Sequence, residues 1–313
     1  MLKRILSAAL FIPLVVFAIF ETASGGVIFL ALLLACAFLT GSEYFDLLDE
    51  HISRASRIFG IASIVGAVSL CFILGASLKG MTLFLTQSEF SAHAELPEVV
   101  GMIEQFSAII SLRLFAIIIL FLVLCLMVFF LIQIRRSSFE GAFRDIAVSF
   151  FAVPYIGFGF GSLAILHALP GKGSWLVLLA FVIVWVTDSF AYFIGRIIGR
   201  HPLGLAASPK KTIEGTLAGL LFAVAAAAGL KLIFPEAYQG WAWMSWPQFL
   251  ILAFVLSVVD QIGDLAESVL KRSLGTKDSG ALVPGHGGLL DVFDAQLLVS
   301  PLMLGLVILL AGL

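Results

Sequence analysis

Charged residues are scarce in this 313-residue chain, at 12% of the whole against 61% hydrophobic. A soluble protein carries about 25% charged residues, so an ordinary soluble enzyme and a disordered chain are both excluded. Cysteine is scarce too. Cys36, Cys71 and Cys125 are odd in number and lie in apolar runs. They read as small buried hydrophobes, which excludes a disulfide scaffold and a thiolate metal framework. Neither sign of charge dominates, since 18 Lys and Arg face 20 Asp and Glu for a net charge of −2. Without a global basic field, nucleic acid is not an expected partner. No Walker loop, GxGxxG fingerprint, HExxH pair or Cys/His zinc spacing is present. Internal repeats, a low-complexity tail and a long soluble domain are missing as well.

What remains is apolar run after apolar run, at a mean hydropathy of +1.13. A spanning helix needs about 20 such residues, because about 30 Å of hydrocarbon is crossed at about 1.5 Å per residue. Nine segments qualify: Ile5–Glu21, Gly25–Thr40, Ile58–Ser77, Leu114–Ile134, Ile146–Leu169, Trp175–Ile198, Glu214–Phe234, Trp246–Ser268 and Gln296–Leu313. The second is short, and the third has an open end because apolar residues resume at Met81–Leu85. Ser107–Ile110 would lengthen the fourth at the cost of burying Arg113. The expected fold is all-α, a polytopic integral membrane helical bundle of about nine spans with a cytoplasmic N-terminus.

Charge placement supports that topology. The cytoplasmic side collects Lys3, Arg4, Arg54, Arg57, Arg135, Arg136, Arg144, Arg196, Arg200, Lys210, Lys211, Lys271, Arg272 and Lys277. Only Lys79, Arg113, Lys172 and Lys231 fall on the other side. This obeys the positive-inside rule, and dropping one internal span would scramble it. The first segment, with Lys3 and Arg4 before its apolar stretch, is expected to be a span rather than a cleaved signal. Residues 1–170 are expected to form a scaffold of lipid-facing spans. Residues 171–313 are expected to carry a catalytic region open to the cytoplasm. A short chain without a targeting extension fits a bacterial inner membrane.

Ionisable groups concentrate in the C-terminal half. Asp188, Tyr192 and Arg196 stand four apart in the sixth span and so share a helical face. In the eighth, Asp260, Asp264, Glu267 and Lys271 follow the i, i+4, i+7, i+11 stripe. A carboxylate at membrane depth costs several kcal/mol unless it faces protein or water, so each is a functional candidate. The plain alternative is that these carboxylates pair with Arg196, Lys271 or Arg272 and only hold the bundle together.

Two cytoplasmic loops sharpen the choice. In Ser208–Gly215, Pro209 fixes the turn, Lys210 and Lys211 offer point charges suited to phosphate, and Ser208 and Thr212 add hydroxyls. Glu214 opens the next helix, where a carboxylate suits the dipole. Alone, such a loop is commonly just a basic juxtamembrane turn. The second loop carries Lys271, Arg272, Lys277 and Asp278, then His286 flanked by Gly285, Gly287 and Gly288, then Asp291 and Asp294. Glycines there let the backbone approach a ligand and turn N–H groups toward an anion. Basic groups bind phosphate, while oxygen-only carboxylates suit Mg²⁺ accompanied by substrate phosphates. The mixture reads as phosphoryl or nucleotidyl transfer at a membrane.

The stretch from Ser268 through Lys271, Arg272, Lys277, Asp278, Gly280, Pro284, His286, Gly287, Gly288 and Asp291 to Asp294 resembles the signature of the phosphatidate cytidylyltransferases (CDP-diacylglycerol synthases). Asp188 with Tyr192, Gly195 with Arg196, and Ser208–Gly215 resemble that family as well. The opening Met1–Arg4 before an apolar run is similar too. The close likeness covers about Trp185–Asp294, a third of the chain. Two positions depart from the pattern. Val292 stands where the family usually has an arginine, and Val283 replaces a larger aliphatic.

The resemblance implies Mg²⁺-dependent transfer from CTP to phosphatidic acid, releasing pyrophosphate, in a membrane protein that forms a homodimer. By that likeness, Asp264, Asp291, Asp294, Lys277 and Asp188 are the catalytic candidates, with Asp264, Asp291 and Asp294 as metal ligands. Ser208, Lys210, Lys211, Thr212, Lys271, Arg272, His286, Gly287 and Gly288 are the substrate-binding candidates. Val292 keeps open an enzyme that acts on another lipid phosphate. An ion-coupled transporter would instead spread ionisable groups through mid-membrane in symmetric halves.

Overall fold

Inside hydrocarbon, an apolar run can satisfy its own N–H and C=O groups only as a helix or a closed barrel. The computed structural model describes residues 2–21, 23–48, 52–87, 97–169, 172–241, 244–285 and 287–311. The N-terminal helices are α1 (Leu2–Phe20), α2 (Val27–Leu47), α3 (Arg54–Gln87), α4 (Pro97–Ile134) and α5 (Ala142–Ala152). A π turn at Val153–Phe158 carries α5 into α6 (Gly159–Ala168). There follow α7 (Gly173–Ile198), α8 (Ile213–Ile233), a 3-10 turn at Pro235–Trp241, α9 (Trp246–Ser273), α10 (Leu290–Phe293) and α11 (Gln296–Ala311). Among the described residues there is no strand, only the isolated bridges Pro202–Thr212 and Val283–Gly287.

Among the described residues, eight helical stretches are long and apolar enough to cross a membrane, and Ala9–Phe20 is a shorter apolar stretch within α1. Each expected span therefore has its helix, with shifted ends. α2 runs past Thr40 to Leu47, which brings Glu43 into a span rather than a loop. Met81–Leu85 belongs to α3 and Ser107–Ile110 to α4. The last span starts at Leu290, ahead of the expected Gln296. The π turn has a local cause in Pro154, which lacks an N–H and crowds the preceding turn, so the helix widens there.

One apolar core joins helices from both parts of the chain, including Ile19, Phe29, Leu163, Val177, Leu256 and Val299. Cys36, Cys71 and Cys125 are buried free thiols, as their apolar setting suggests. Helices α7 and α8 pack closely, and small residues permit the approach. A Cβ on Gly215 would sit 2.5 Å from the Ala191 carbonyl, and one on Gly219 would sit 2.9 Å from that of Thr187. A polar knot ties the ends of α3, α4 and α5. Asp145, fully buried, accepts from the Ser53 amide at 2.8 Å and from Arg136 Nη1 at 3.3 Å.

Candidate active site

Four-residue spacing puts Asp188, Tyr192 and Arg196 on one face of α7, and that face lines a cavity of about 640 Å³. Arg196 Nη1 donates to the Tyr192 hydroxyl at 2.9 Å. Ser208, Lys210 and Lys211 of the α7–α8 loop form another wall, and Gln261 and Asp264 of α9 a third. Three elements that sequence spacing singled out separately thus meet at one end of the bundle.

Local hydrogen bonds shape the loop. The Leu203 amide donates to Lys211 O and the Ile213 amide to His201 O, each at 2.9 Å. Glu214 folds back to accept from the amides of Arg200 at 3.1 Å and His201 at 3.3 Å. Its other oxygen lies 2.5 Å from His201 Nδ1. Thr212 caps α8, its Oγ1 accepting from the Gly215 amide at 3.2 Å. Thr212 and Glu214 therefore brace the loop that carries Lys210 and Lys211 to the cavity.

Acidic groups crowd the opposite side. Lys211 Nζ lies 2.7 Å from Asp264 Oδ2. Asp188 is exposed to the cavity. Behind it, Asp260 is fully buried, and neither of its carboxylate oxygens has a hydrogen-bond partner. Asp294 is buried on the α10 side and accepts from the Ala295 amide at 2.6 Å. These four carboxylates lie within electrostatic range of one another, with Lys211 among them. As placed, no three His, Cys, Asp or Glu side chains among the described residues form a metal-ligating group.

A second cluster stands beside the first. Lys271 Nζ is 2.5 Å from Glu267 Oε2 and 2.5 Å from Asp291 Oδ1. Asp291 Oδ2 accepts from the Ser279 amide and hydroxyl, both at 2.9 Å, and from the Gly288 amide at 2.7 Å. Asp291 is therefore fully engaged in pinning the α9–α10 loop to Lys271. The Gly287 amide donates to Val283 O at 3.1 Å, so both glycine N–H groups are used within the loop.

The other predicted residues scatter more widely. Arg272 is exposed and donates to Thr276 O at 3.2 Å, closing its own turn. Lys277 and Asp278 are exposed on the same loop. His286 lies outside the described residues. Val292 is half-buried against the core, on the helix where the resembled pattern has arginine.

Sequence reading missed two contributors from the N-terminal half. Glu43 of α2 accepts from the Leu290 amide at 2.8 Å. Tyr155, in the π turn, points a buried, unpartnered hydroxyl into the electrostatic range of Glu267 and Asp294. A carboxylate in Gly41-Ser42-Glu43-Tyr44 and a proline beside Tyr155 were the available signals. Neither says which loop or helix is met.

The model of the cytidylyltransferase family matches residues 2–310. The chain belongs to that family. Among its relatives, the phosphatidate cytidylyltransferase of Staphylococcus haemolyticus is 39% identical over 162 residues, 52% of this chain and 59% of the relative. That of Staphylococcus aureus (strain COL) is 38% identical over the same shares. The chain thus spans 59% of the length of the relatives it matches. In this cytidylyltransferase-family protein, cationic side chains of a kind suited to phosphate and carboxylates of a kind suited to a hard metal line one cavity at the ends of apolar helices.

Proposed function

We propose that the protein transfers the cytidylyl group of CTP to phosphatidic acid, giving CDP-diacylglycerol and pyrophosphate. One observation carries this reading. The cavity at the ends of α7 and α9 sets Lys211 2.7 Å from Asp264, with Lys210, Arg196 and Asp188 on the same walls. A nucleoside triphosphate is polyanionic and a lipid phosphate comes from the bilayer, so a cationic cavity between spans suits both.

A phosphate oxygen of phosphatidate would attack the α-phosphorus of CTP in line and expel pyrophosphate. That nucleophile is already anionic, so no strong general base is needed. Alignment and charge neutralisation then do most of the catalysis. Lys211, Lys210 and Arg196 would hold the triphosphate, while Arg272 in the last turn of α9 and Lys277 on the loop after it stand exposed to meet either substrate's phosphates.

The donor set fits Mg²⁺ in its chemistry. It consists of oxygen ligands alone, and the buried Asp260 carboxylate beside it lacks any hydrogen-bond donor. Asp264 and Asp294 are the proposed ligands with Asp188 next, and Asp291 joins only where Lys271 releases its Oδ1. Such a cation would supply charge neutralisation of the triphosphate. On this reading the chain lies in a bacterial inner membrane with the cavity open to the cytoplasm. The basic residues at that end and the bacterial relatives support it. A second copy would pack on Phe115–Ile134, the least enclosed of the eight long apolar stretches among the described residues.

The test is pyrophosphate release from CTP by the purified protein in mild detergent. Release that needs both phosphatidic acid and Mg²⁺ is expected. Release with another lipid phosphate but not this one would overturn the substrate assignment.

A further inference from the structure

Glu43 sits on α2, 247 residues from its hydrogen-bond partner in the signature loop. Its Oε2 accepts from the Leu290 amide at 2.8 Å, in the first turn of α10, the helix that carries Asp291. The same oxygen is 3.5 Å from Ser279 Oγ, whose other carboxylate neighbour is Asp291 Oδ2 at 2.9 Å. Two carboxylates from distant parts of the chain therefore flank one serine hydroxyl.

The loop is built around this intruding side chain. A Cβ on Gly288 would stand 2.5 Å from Glu43 Oε2, and one on Gly280 would stand 2.9 Å from Oε1. With a larger residue at either place, the carboxylate would have to shift from where it sits. Glu43 Oε1 is itself buried without a hydrogen-bond partner. A structural role confined to α2 gives no reason to bury half a carboxylate under another element. The contact gains its meaning at the other end, where the backbone it fixes sets Asp291 against Lys271 at 2.5 Å.

We propose that Glu43 is a positioning residue, holding the 279–290 loop so that Asp291 and Lys271 keep their place beside the cavity. The proposal rests on the cytidylyltransfer reading for its kinetic consequence, but not for the loop contact itself. It gives α2 a part in holding the signature loop, beyond that of a lipid-facing frame.

Two variants and two readouts test it. In Glu43→Ala the Leu290 amide loses its acceptor, whereas Glu43→Gln keeps a carbonyl oxygen there. Amide hydrogen exchange of the full-length protein in detergent should quicken about tenfold or more in peptides covering 279–290 of Glu43→Ala, and stay near wild type elsewhere. In that variant kcat for pyrophosphate release should fall about 10- to 100-fold, with KM for CTP within about twofold. Glu43→Gln should recover at least about a third of kcat and most of the exchange protection.

Wild-type exchange in 279–290 of Glu43→Ala would overturn the proposal. So would faster exchange with unchanged kcat, because the loop would then be held for no catalytic purpose. A uniform loss of protection across all helices, with full activity in the folded fraction, would make Glu43 a bundle residue and overturn it too. If wild-type protein released no pyrophosphate, the reaction reading would fail, and the exchange arm would still decide whether Glu43 holds the loop.

Discussion

Lys211 Nζ lies 2.7 Å from Asp264 Oδ2, joining a loop between two spans to the interior face of a third. Both side chains keep contact with solvent, at 21% and 34% exposure. A pair so exposed contributes about 0–1 kcal/mol to stability. The loop is already braced by Glu214 and Thr212 without it. The pair is therefore better explained by what enters the cavity than by what holds the protein together.

Lys211→Met separates those two explanations. It should leave the unfolding temperature in detergent within a few degrees of wild type and lower kcat/KM for CTP on the order of 100-fold, the scale of one lost electrostatic donor. Steady-state pyrophosphate release and a thermal melt on the same sample check it. A large melting shift with modest kinetic loss would return the pair to a structural role.

Asp264→Asn keeps the shape of the side chain and removes its charge. Folding should survive, turnover should fall at least about 100-fold, and the Mg²⁺ concentration for half-maximal rate should rise. A magnesium titration of both proteins decides the matter. Unchanged magnesium dependence would remove Asp264 from the ligand set and shift attention to Asp294.

Lys271 should behave differently, because it is buried between two acids. It is 13% exposed, Glu267 is fully buried, and Asp291 is nearly so. Lys271→Met strands Glu267 and leaves Asp291 Oδ1 without its cation, and removing one partner of a buried pair costs about 3–5 kcal/mol. A lowered unfolding midpoint is expected together with lost activity. Adding Glu267→Gln to that variant should restore part of the stability and none of the activity. Full recovery of both would show that Lys271 serves only to neutralise Glu267.

The sequence was most informative where a period or a spacing was itself the physics. The i, i+4 stripe of Asp188, Tyr192 and Arg196 fixes a face because a helix has no other way to arrange it. Apolar runs near 20 residues marked out, for the same reason, the eight long apolar stretches among the described residues and the shorter one in α1. Helix ends were harder to read. α2 continues through Gly41-Ser42-Glu43 because Phe45 and Leu48 bury against the core, a tertiary cause that hydropathy cannot report. Division of labour within the signature was harder still. Asp264 and Asp291 look alike in sequence, yet one lines a cavity and the other accepts three loop donors and a lysine. Those donors come from Ser279 and Gly288, and only folding of the loop brings them together.

Gly288→Ala tests how tightly that loop is packed. Its added methyl would sit 2.1 Å from Ser279 Oγ and 2.5 Å from Glu43 Oε2. Ser279 could rotate away only by giving up its bond to Asp291, and Glu43 only by releasing Leu290. Overpacking of this kind costs about 1–3 kcal/mol, and here it displaces the groups that fix Asp291. Gly229→Ala in α8 is the matched control, since nothing lies within 4 Å of its added methyl. Replacing a helical glycine there should stabilise by about 0.5–1 kcal/mol. The expected pattern is a lower melting midpoint with sharply reduced turnover for Gly288→Ala, and an unchanged or higher midpoint with full turnover for Gly229→Ala. Equal behaviour of the two variants would mean the loop yields without consequence, and that the Ser279, Glu43 and Asp291 contacts do not set the reaction centre.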